Sequence, residues 1–329
     1  MPDMITVCIP CFQEGEQLDD LFQSLYDSDL REFSYEILLC DSNSKDNTVE
    51  VSENWKSKLD INLIITNEAN TSENLNAGLR YAKGNFYCRI DARARVSKNY
   101  FSTGLDLLTS HKEMVCAVGP LVSVKPQSGS YLSGYISFFF LSPFFMGPSR
   151  FKNSFYNRNF EGRVDSIYLG IFKTEDLLSI GGFDEELKRK QDIDLFRRLK
   201  EFTNKSLFIS SSLKAQYILK HDTVSGIIKR SYIQGIYAGG DVGNIRIAHI
   251  IPFFSLVCFT LISMFSYQTG LTIFLFYVLL SAFFGFCEKR NFLSIPLAVF
   301  IFSLVHFSYT LGNVIGLASS ILSQKNKDS

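Results

Sequence analysis

The segment Ile-Thr-Val-Cys-Ile-Pro-Cys-Phe, at Ile5–Phe12, is a short apolar run that ends in polar residues, which is typical of a buried strand. Leucine and phenylalanine recur at helical spacing over Glu16–Ser28, and Tyr35–Cys40 is the next apolar run. Strands that alternate with helices predict a parallel sheet with crossover helices. This stretch therefore places the chain in the α/β class.

The alternation continues along the chain. Asp46–Lys58 and Ser72–Ala82 are predicted helices, and Ile61–Thr66 and Phe86–Ile90 are predicted strands. In such sheets, ligands bind at the carboxyl ends of the strands. Polar residues follow three of the strands, and we expect them to meet at that edge: Phe12–Glu14, Asp41–Ser44 and Asp91–Arg95.

The later part of the chain is less regular. Val164–Lys173 and Ser206–Ser210 are predicted strands, Gln191–Phe202 is a predicted helix, and Val224–Tyr237 is a predicted amphipathic helix. Tyr131–Met146 is apolar but is too short and too interrupted to span a bilayer. It fits either a core helix or an interfacial segment near a lipid acceptor.

The 329 residues include 33 basic and 33 acidic side chains, a balance that argues against a nucleic-acid partner. From Ile247 onward, charged side chains occur only at Glu288–Arg290, Lys325, Lys327 and Asp328. We therefore predict a polar domain at 1–240 and a membrane region at 241–329. About three transmembrane helices are expected there, at 247–267, 271–287 and 292–322.

Basic residues flank the predicted spans. Lys229, Arg230 and Arg246 precede the first span, and Lys289 and Arg290 separate the second from the third. Positive residues are enriched on the cytoplasmic side. We expect a multi-pass protein of the cytoplasmic (inner) membrane with its catalytic domain in the cytoplasm. The N-terminus lacks a basic n-region and a long apolar segment, so no signal peptide is expected.

Three aspartates stand out by position. Asp41 and Asp91 each follow a predicted strand, and Asp192 opens a predicted helix after the turn Gly181-Gly182. Each has an ordinary structural explanation, because aspartate caps helices and forms turns. Their joint placement at the sheet edge favours a site.

Five segments, in this order, resemble the motifs of family 2 glycosyltransferases. They are the opening strand at Ile9–Glu14, the nucleotide loop at Cys40–Thr48, the x-N-x-G helix at Leu75–Gly78, the D-x-D region at Arg89–Ala94, and the base-bearing segment at Gly181–Glu185 with Gln191–Asp194.

The similarity is closest to the succinoglycan-type glucosyltransferases of exopolysaccharide biosynthesis. Their pattern R-x-D-A-H-A corresponds to Arg89–Ala94, S-P-F-G-x-G to Ser142–Gly147, and V-D-x-x-Y-x-G to Val164–Gly170, where Asp165 takes the acidic position. The resemblance implies a GT-A (Rossmann-like) mixed sheet flanked by helices, followed by C-terminal transmembrane helices.

The resemblance also implies a function. The expected reaction is inverting, non-processive transfer of a hexose from a nucleotide-sugar, expected to be a UDP-sugar, to a lipid-linked saccharide. Asp192 is the expected general base, and Asp91 the expected ligand of Mg²⁺ or Mn²⁺. The expected donor-binding residues are Pro10, Phe12, Glu14, Asp41, Asn76, Asp91 and Arg93.

One position departs from the family pattern. Arg93 stands where the relatives place histidine, and a protonated arginine does not ligate a cation. Arginine does bind phosphate directly, so either Asp91 binds the metal with fewer protein ligands or Arg93 replaces part of its charge. His221 is either a late metal ligand or a surface residue.

Two alternative functions stay open. A processive polysaccharide synthase typically carries Q-x-x-R-W after the base, but the only tryptophan here is Trp55, and the corresponding stretch offers Arg230 and Tyr237 instead. A non-catalytic nucleotide-sugar-binding membrane protein would keep Asp41 but has no need of Asp192.

Overall fold

The computed structural model describes residues 3–67, 70–140, 159–187, 190–240, 247–289, 292 and 294–325. The chain divides into two compact units. The first comprises Met1–Ser123 and Asn153–Ile218, and the second comprises Val124–Lys152 and Leu219–Ser329.

The first unit begins with the predicted alternation of strands and helices, and each element ends within three residues of its predicted bounds. The elements are β1 (Met4–Cys11), α1 (Gly15–Tyr26), β2 (Ser34–Asp41), α2 (Thr48–Trp55), β3 (Ile61–Ile65), α3 (Thr71–Tyr81) and β4 (Phe86–Arg89).

Among the elements that follow, the helix Gln191–Thr203 agrees with its prediction to within one residue, whereas Ala94–Val96, Tyr100–Ser110 and Thr174–Ser179 were not predicted. These later elements are β5 (Ala94–Val96), α4 (Tyr100–Ser110), β6 (Val115–Pro126), α5 (Tyr131–Phe139), β7 (Gly162–Val164), β8 (Ile171–Lys173), α6 (Thr174–Ser179), α7 (Gln191–Thr203) and β9 (Ser206–Leu219).

Two of the predicted strands need correction. Within Val164–Lys173 only Val164, the last residue of β7, and Ile171–Lys173, which is β8, are in strands. Leu169 between them has φ of 54°, outside the extended region. The predicted strand Ser206–Ser210 is only the start of β9, which has 14 residues. Its serine-rich centre hides the alternation of apolar residues by which strands are recognised.

The nine strands among the described residues form one mixed sheet in the order β3-β2-β1-β4-β8-β6-β9-β5, with β7 also paired to β9. β1 is parallel to β2 and β4, whereas β8 is antiparallel to β4. β2 and β3 lie on one side of β1 and β4 lies on the other, so the order in which strands are added changes direction at β1. This is the switch point at which the carboxyl ends of strands leave a crevice for a ligand.

Burial explains why β1 and β2 read as continuous apolar runs. Both strands lie inside the sheet, and most of their side chains on both faces are buried. The apolar face of α1, with Leu18, Leu21, Phe22 and Leu25, is fully buried. These layers hold the loops after β1, β2 and β4 at one edge.

The second unit is mainly helical over its described residues. It contains α5, α8 (Val224–Gly240), α9 (Ile247–Phe265), α10 (Tyr267–Lys289) and α11 (Ser294–Lys325). Tyr267–Phe286 and Ser294–Ser320 are long and apolar enough to cross a membrane. α9 covers most of the first predicted span, but the side chains at 247–254 are outside the described residues. The count of three spans stays a prediction.

The segment Tyr131–Met146 is described only in its first part, where α5 forms the expected helix. Residues 141–158 lie outside the described residues, and with them the motif Ser142–Gly147.

Glycines bring α8 and α11 into backbone contact. A Cβ atom on Gly235 would lie 2.1 Å from the carbonyl oxygen of Tyr309, and one on Gly239 would meet the backbone equally closely. Gly312 and Gly316 of α11 face the backbone of α8 in the same way. Pairs of small residues four positions apart allow such close crossing of membrane helices.

This contact predicts the effect of a single methyl group. Gly235→Ala should lower the stability of the protein by roughly 1–3 kcal/mol, the usual cost of overpacking. Gly129→Ala is the matched control, because no atom lies within 4 Å of a Cβ there. Thermal unfolding of the full chain in detergent measures both. Equal unfolding temperatures for the two variants would contradict the contact.

Candidate active site

The loops after β1 and β2 are joined through Ser44. The carboxylate of Asp41, which is fully buried, accepts hydrogen bonds from the backbone N–H of Ser44 at 2.9 Å and from its hydroxyl at 2.5 Å. The N–H of Gln13 donates to the same hydroxyl at 2.7 Å. Asp41 thus shapes the loop, and the neighbouring Phe12 is 43% exposed and available to a ligand.

The loops after β1 and β4 are joined by an ion pair between Glu14 and Arg93. Nε of Arg93 donates to Oε1 of Glu14 at 3.1 Å, and its Nη2 lies 2.8 Å from Oε2. Both side chains are mostly buried, and a hydrogen bond between two charged groups is among the stronger polar contacts in proteins. The guanidinium predicted to face a diphosphate is therefore already bonded to a carboxylate.

A second ion-pair cluster joins β4 to α7. Nε of Arg89 donates to Oδ1 of Asp91 at 2.9 Å, and its Nη1 lies 2.5 Å from Oδ1 of Asp192. Burial alone would lower the pKa of Arg89, but attraction by Asp192 and then by Asp91 outweighs it and raises that pKa. Arg89 therefore remains a cation. The sequence pattern indicates roles for both aspartates but none for Arg89.

The first turn of α7 carries two aspartates with different surroundings. The carboxylate of Asp194 accepts hydrogen bonds from Arg197 and Arg198. Burial alone would raise the pKa of Asp194, but the hydrogen bonds from Arg198 and Arg197 lower it. Arg198 also donates to the carbonyl of Gly182 at 2.8 Å. Asp194 thus belongs to the anchor of the glycine turn, and Asp192 is the acid that shares Arg89 with Asp91.

Asn76 joins α3 to the glycine turn. Its amide nitrogen donates to the carbonyl of Phe183 at 2.7 Å and to Glu185 at 2.8 Å, and its oxygen accepts from the N–H of Phe183 at 2.8 Å. Gly182 lies alongside with φ of +70°, and a Cβ there would be 2.4 Å from the Asn76 oxygen. Donor binding by Asn76 stays a prediction, while these contacts favour a structural role.

Asn74 is a site-supporting residue that the sequence analysis missed. It is buried, and it donates to the carbonyl of Cys11 at 3.3 Å and to the hydroxyl of Ser42 at 2.9 Å. Its oxygen accepts from the hydroxyl of Thr66. Asn74 thereby ties together the ends of β1, β2 and β3. Its only sequence signal is an asparagine in the first turn of a predicted helix, two residues before Asn76.

The other predicted residues lie as follows. Pro10 is in β1, paired in register with Cys40. Asp165 is fully exposed and 3.3 Å from the amine of Lys200. His221 belongs to the second unit. Over the described part of the chain, no cluster of three or more histidine, cysteine, aspartate or glutamate side chains is arranged to hold a metal ion.

The sheet order and the switch point at β1, with acidic side chains at the carboxyl edge, are those of a GT-A fold. Residues 6–168 match the model of the family described as Glycosyl transferase family 2. The match over these residues identifies the chain as a glycosyltransferase.

Solved structures share this fold. The mannosyltransferase PcManGT from Pyrobaculum calidifontis, in complex with GDP-Man and Mn²⁺, has a TM-score of 0.62 at 14% identity, over 95% of this chain and 88% of that one. S. aureus TarS 1-349 has a TM-score of 0.50 at 14% identity, over 94% and 90%. GalNAc-T7 with UDP, GalNAc and Mn²⁺ has 0.51 at 14%, over 72% and 50%.

At these identities the likeness concerns the fold alone. A comparison with curated protein sequences gave no match.

The contacts of Asn76 predict a loss of stability on substitution. Asn76→Ala leaves the buried N–H and carbonyl of Phe183 without this partner, so stability should fall by about 1–3 kcal/mol. Asn62→Ala is the control, because Asn62 is exposed and makes one long hydrogen bond to Asp60. Denaturant unfolding and UDP calorimetry are measured on both. Unchanged stability with weakened UDP binding would assign Asn76 to the donor site instead.

Proposed function

We propose that this chain is an inverting, non-processive hexosyltransferase that transfers a sugar from a nucleotide-sugar to a lipid-linked saccharide, in the assembly of a surface glycan or exopolysaccharide. The observation that carries the proposal is the position of Asp192. It lies in the first turn of α7 and, through Arg89, beside Asp91 at the carboxyl edge of the sheet. The donor side and a candidate base thus share one cluster.

The donor is expected to be a UDP-sugar, by resemblance to the succinoglycan-type enzymes. Proteins of similar fold bind GDP-Man in one case and UDP in another, so the fold itself admits both nucleotides. Phe12, whose side chain is partly exposed, would stack on the nucleobase. Asp41 would accept a hydrogen bond from the base once the loop that it holds through Ser44 opens toward the ligand.

A divalent cation fits the charges of this site. Asp91 supplies the hard oxygen ligands that Mg²⁺ and Mn²⁺ prefer. Glu14, Asp91 and Asp192 exceed Arg89 and Arg93 by one negative charge, so these five side chains favour a cation. A bound cation would stabilise the departing diphosphate. Arg93, already paired with Glu14, holds the loop more than it replaces the metal.

Asp192 would act on the acceptor. Its carboxylate removes the proton of the acceptor hydroxyl while that oxygen attacks the anomeric carbon of the donor. The new bond forms on the face opposite the breaking bond to the diphosphate, which leaves with the bonding electrons. Attack from that face inverts the configuration at the anomeric carbon.

Single addition is favoured over processive synthesis. Trp55, the only tryptophan, lies in α2 and donates its indole N–H to Asp19 at 2.7 Å, so it packs the first unit and takes no part in a synthase motif. A membrane-bound acceptor is supported by the two apolar helices of the second unit. The cytoplasmic (inner) membrane, with the catalytic domain in the cytoplasm, is the proposed location.

Loss of the Asp192 carboxylate, the proposed general base, should abolish most turnover. Asp192→Asn should reduce transfer by about 10²–10⁴-fold, the usual contribution of a general base. The assay measures nucleoside diphosphate released from a panel of UDP- and GDP-hexoses, with membrane lipid extract as acceptor. Asp60→Asn, an exposed aspartate, is the charge-matched control. Near-normal release by folded Asp192→Asn would remove Asp192 from the role of base.

Donor recognition by Asp41 can be separated from its role in the loop. Asp41→Ala should weaken UDP binding by roughly 1–3 kcal/mol. The substitution removes both the contact with Ser44 and the hydrogen-bond acceptor for the nucleobase of UDP. Ser44→Ala removes the hydroxyl contacts with Asp41 and Gln13 but keeps the Asp41 carboxylate, so calorimetry should show a smaller loss. Equal losses for the two variants would mean that Asp41 acts only by shaping the loop.

A further inference from the structure

Arg89 is placed where the strands end. It is the last residue of β4, in register with Cys8 of β1, and its side chain is only 11% exposed. Its backbone N–H donates to the carbonyl of Gly170 at 3.0 Å, which fixes the main chain there. A buried charge is strongly unfavourable unless it is paired. The partners that Arg89 has are therefore informative.

Those partners come from both sides of the proposed reaction. Nε and Nη2 of Arg89 lie 2.9 and 3.5 Å from the two oxygens of Asp91, on the donor side. Nη1 lies 2.5 Å from Oδ1 of Asp192, the acceptor-side base. A planar guanidinium presents its donors in a rigid fork, whereas the ammonium of lysine is a single point. Arg89 thus sets the separation of the two carboxylates.

We propose that Arg89 is a positioning residue that orients Asp192 and also occupies the carboxylate of Asp91 until a divalent cation displaces it there. This inference rests on the roles proposed above for Asp91 and Asp192.

The competition at Asp91 follows from distance and charge. Mg²⁺ binds a carboxylate oxygen at about 2 Å. Because Arg89 approaches both oxygens of Asp91, a cation at that distance would lie within a few ångströms of the guanidinium. Two positive charges repel strongly at such a separation away from bulk water. The cation and the guanidinium therefore cannot both keep close contact with Asp91.

The contact with Asp192 allows the guanidinium of Arg89 to separate from Asp91. When the guanidinium gives up Asp91, it remains paired with Asp192 and is not left as an isolated buried charge. The diphosphate of the donor adds negative charge that offsets the remaining repulsion. The cation should therefore bind weakly to the free protein and tightly together with the nucleotide.

The experiment measures Mn²⁺ binding directly. Electron paramagnetic resonance of free Mn²⁺ is recorded with the full chain, with and without UDP, for wild type, Arg89→Gln and Arg89→Lys. Without UDP, Arg89→Gln should bind Mn²⁺ at least about tenfold more tightly than wild type, because a repelling charge is gone. Arg89→Lys keeps the charge and should stay within about threefold. Both should lose turnover by about 10–100-fold, because Asp192 is no longer oriented.

Controls separate this effect from general charge and from misfolding. Arg197→Gln removes a charge from the exposed surface of α7 and should leave Mn²⁺ binding unchanged. Thermal unfolding shows whether each variant is folded. If Arg89→Gln does not fold, Arg89→Lys still tests the proposal, since reduced turnover with wild-type Mn²⁺ affinity is required of it.

Three results would overturn the inference. Equal Mn²⁺ affinity in wild type and Arg89→Gln would exclude displacement but leave the cation at Asp91 in place. Normal turnover in Arg89→Lys would exclude positioning. Failure of every protein to bind Mn²⁺, with or without UDP, would remove the cation from Asp91 as well, while glycosyl transfer would still be measured by nucleotide release.

Discussion

A buried guanidinium must be paired, and Arg89 satisfies this requirement by bonding two carboxylates that lie far apart in the chain. Asp91 is two residues away, whereas Asp192 is 103 residues away and belongs to α7. The contact can form only if β4 ends beside β1 and the first turn of α7 lies over that edge. The ion pairs therefore depend on the sheet order, and in turn they join β4 to the helix that carries the proposed base.

The loops around this cluster are held by polar contacts of the same kind. Arg93 binds Glu14 and joins the loop after β4 to the loop after β1, while Ser44 joins the latter to Asp41. Asn74 forms hydrogen bonds at the ends of β1, β2 and β3. Many donors and acceptors of the site are thus used within the protein. A nucleotide-sugar and its cation must exchange some of these contacts for their own.

The second unit follows a different packing rule. α8 and α11 approach so closely that glycine is required at the contact, since a methyl group on Gly235 would overlap a carbonyl oxygen. Apolar helices gain little from burying side chains when the surroundings are lipid, so close backbone packing takes that role. The length and apolar composition of α10 and α11 agree with such an environment.

The sequence alone determined the α/β class, the first seven elements, the acidic residues at the sheet edge and the apolar C-terminal helices, because each leaves a local pattern of spacing or composition. It missed the extent of β9, whose serines obscure the alternation, and the break at Leu169. Only the tertiary structure decided that Arg89 bridges Asp91 and Asp192. It also decided that Arg93 pairs with Glu14 and that Asn76 forms hydrogen bonds with the glycine turn. Each of these contacts joins residues from separate parts of the chain, and no local pattern records which charges the fold brings together.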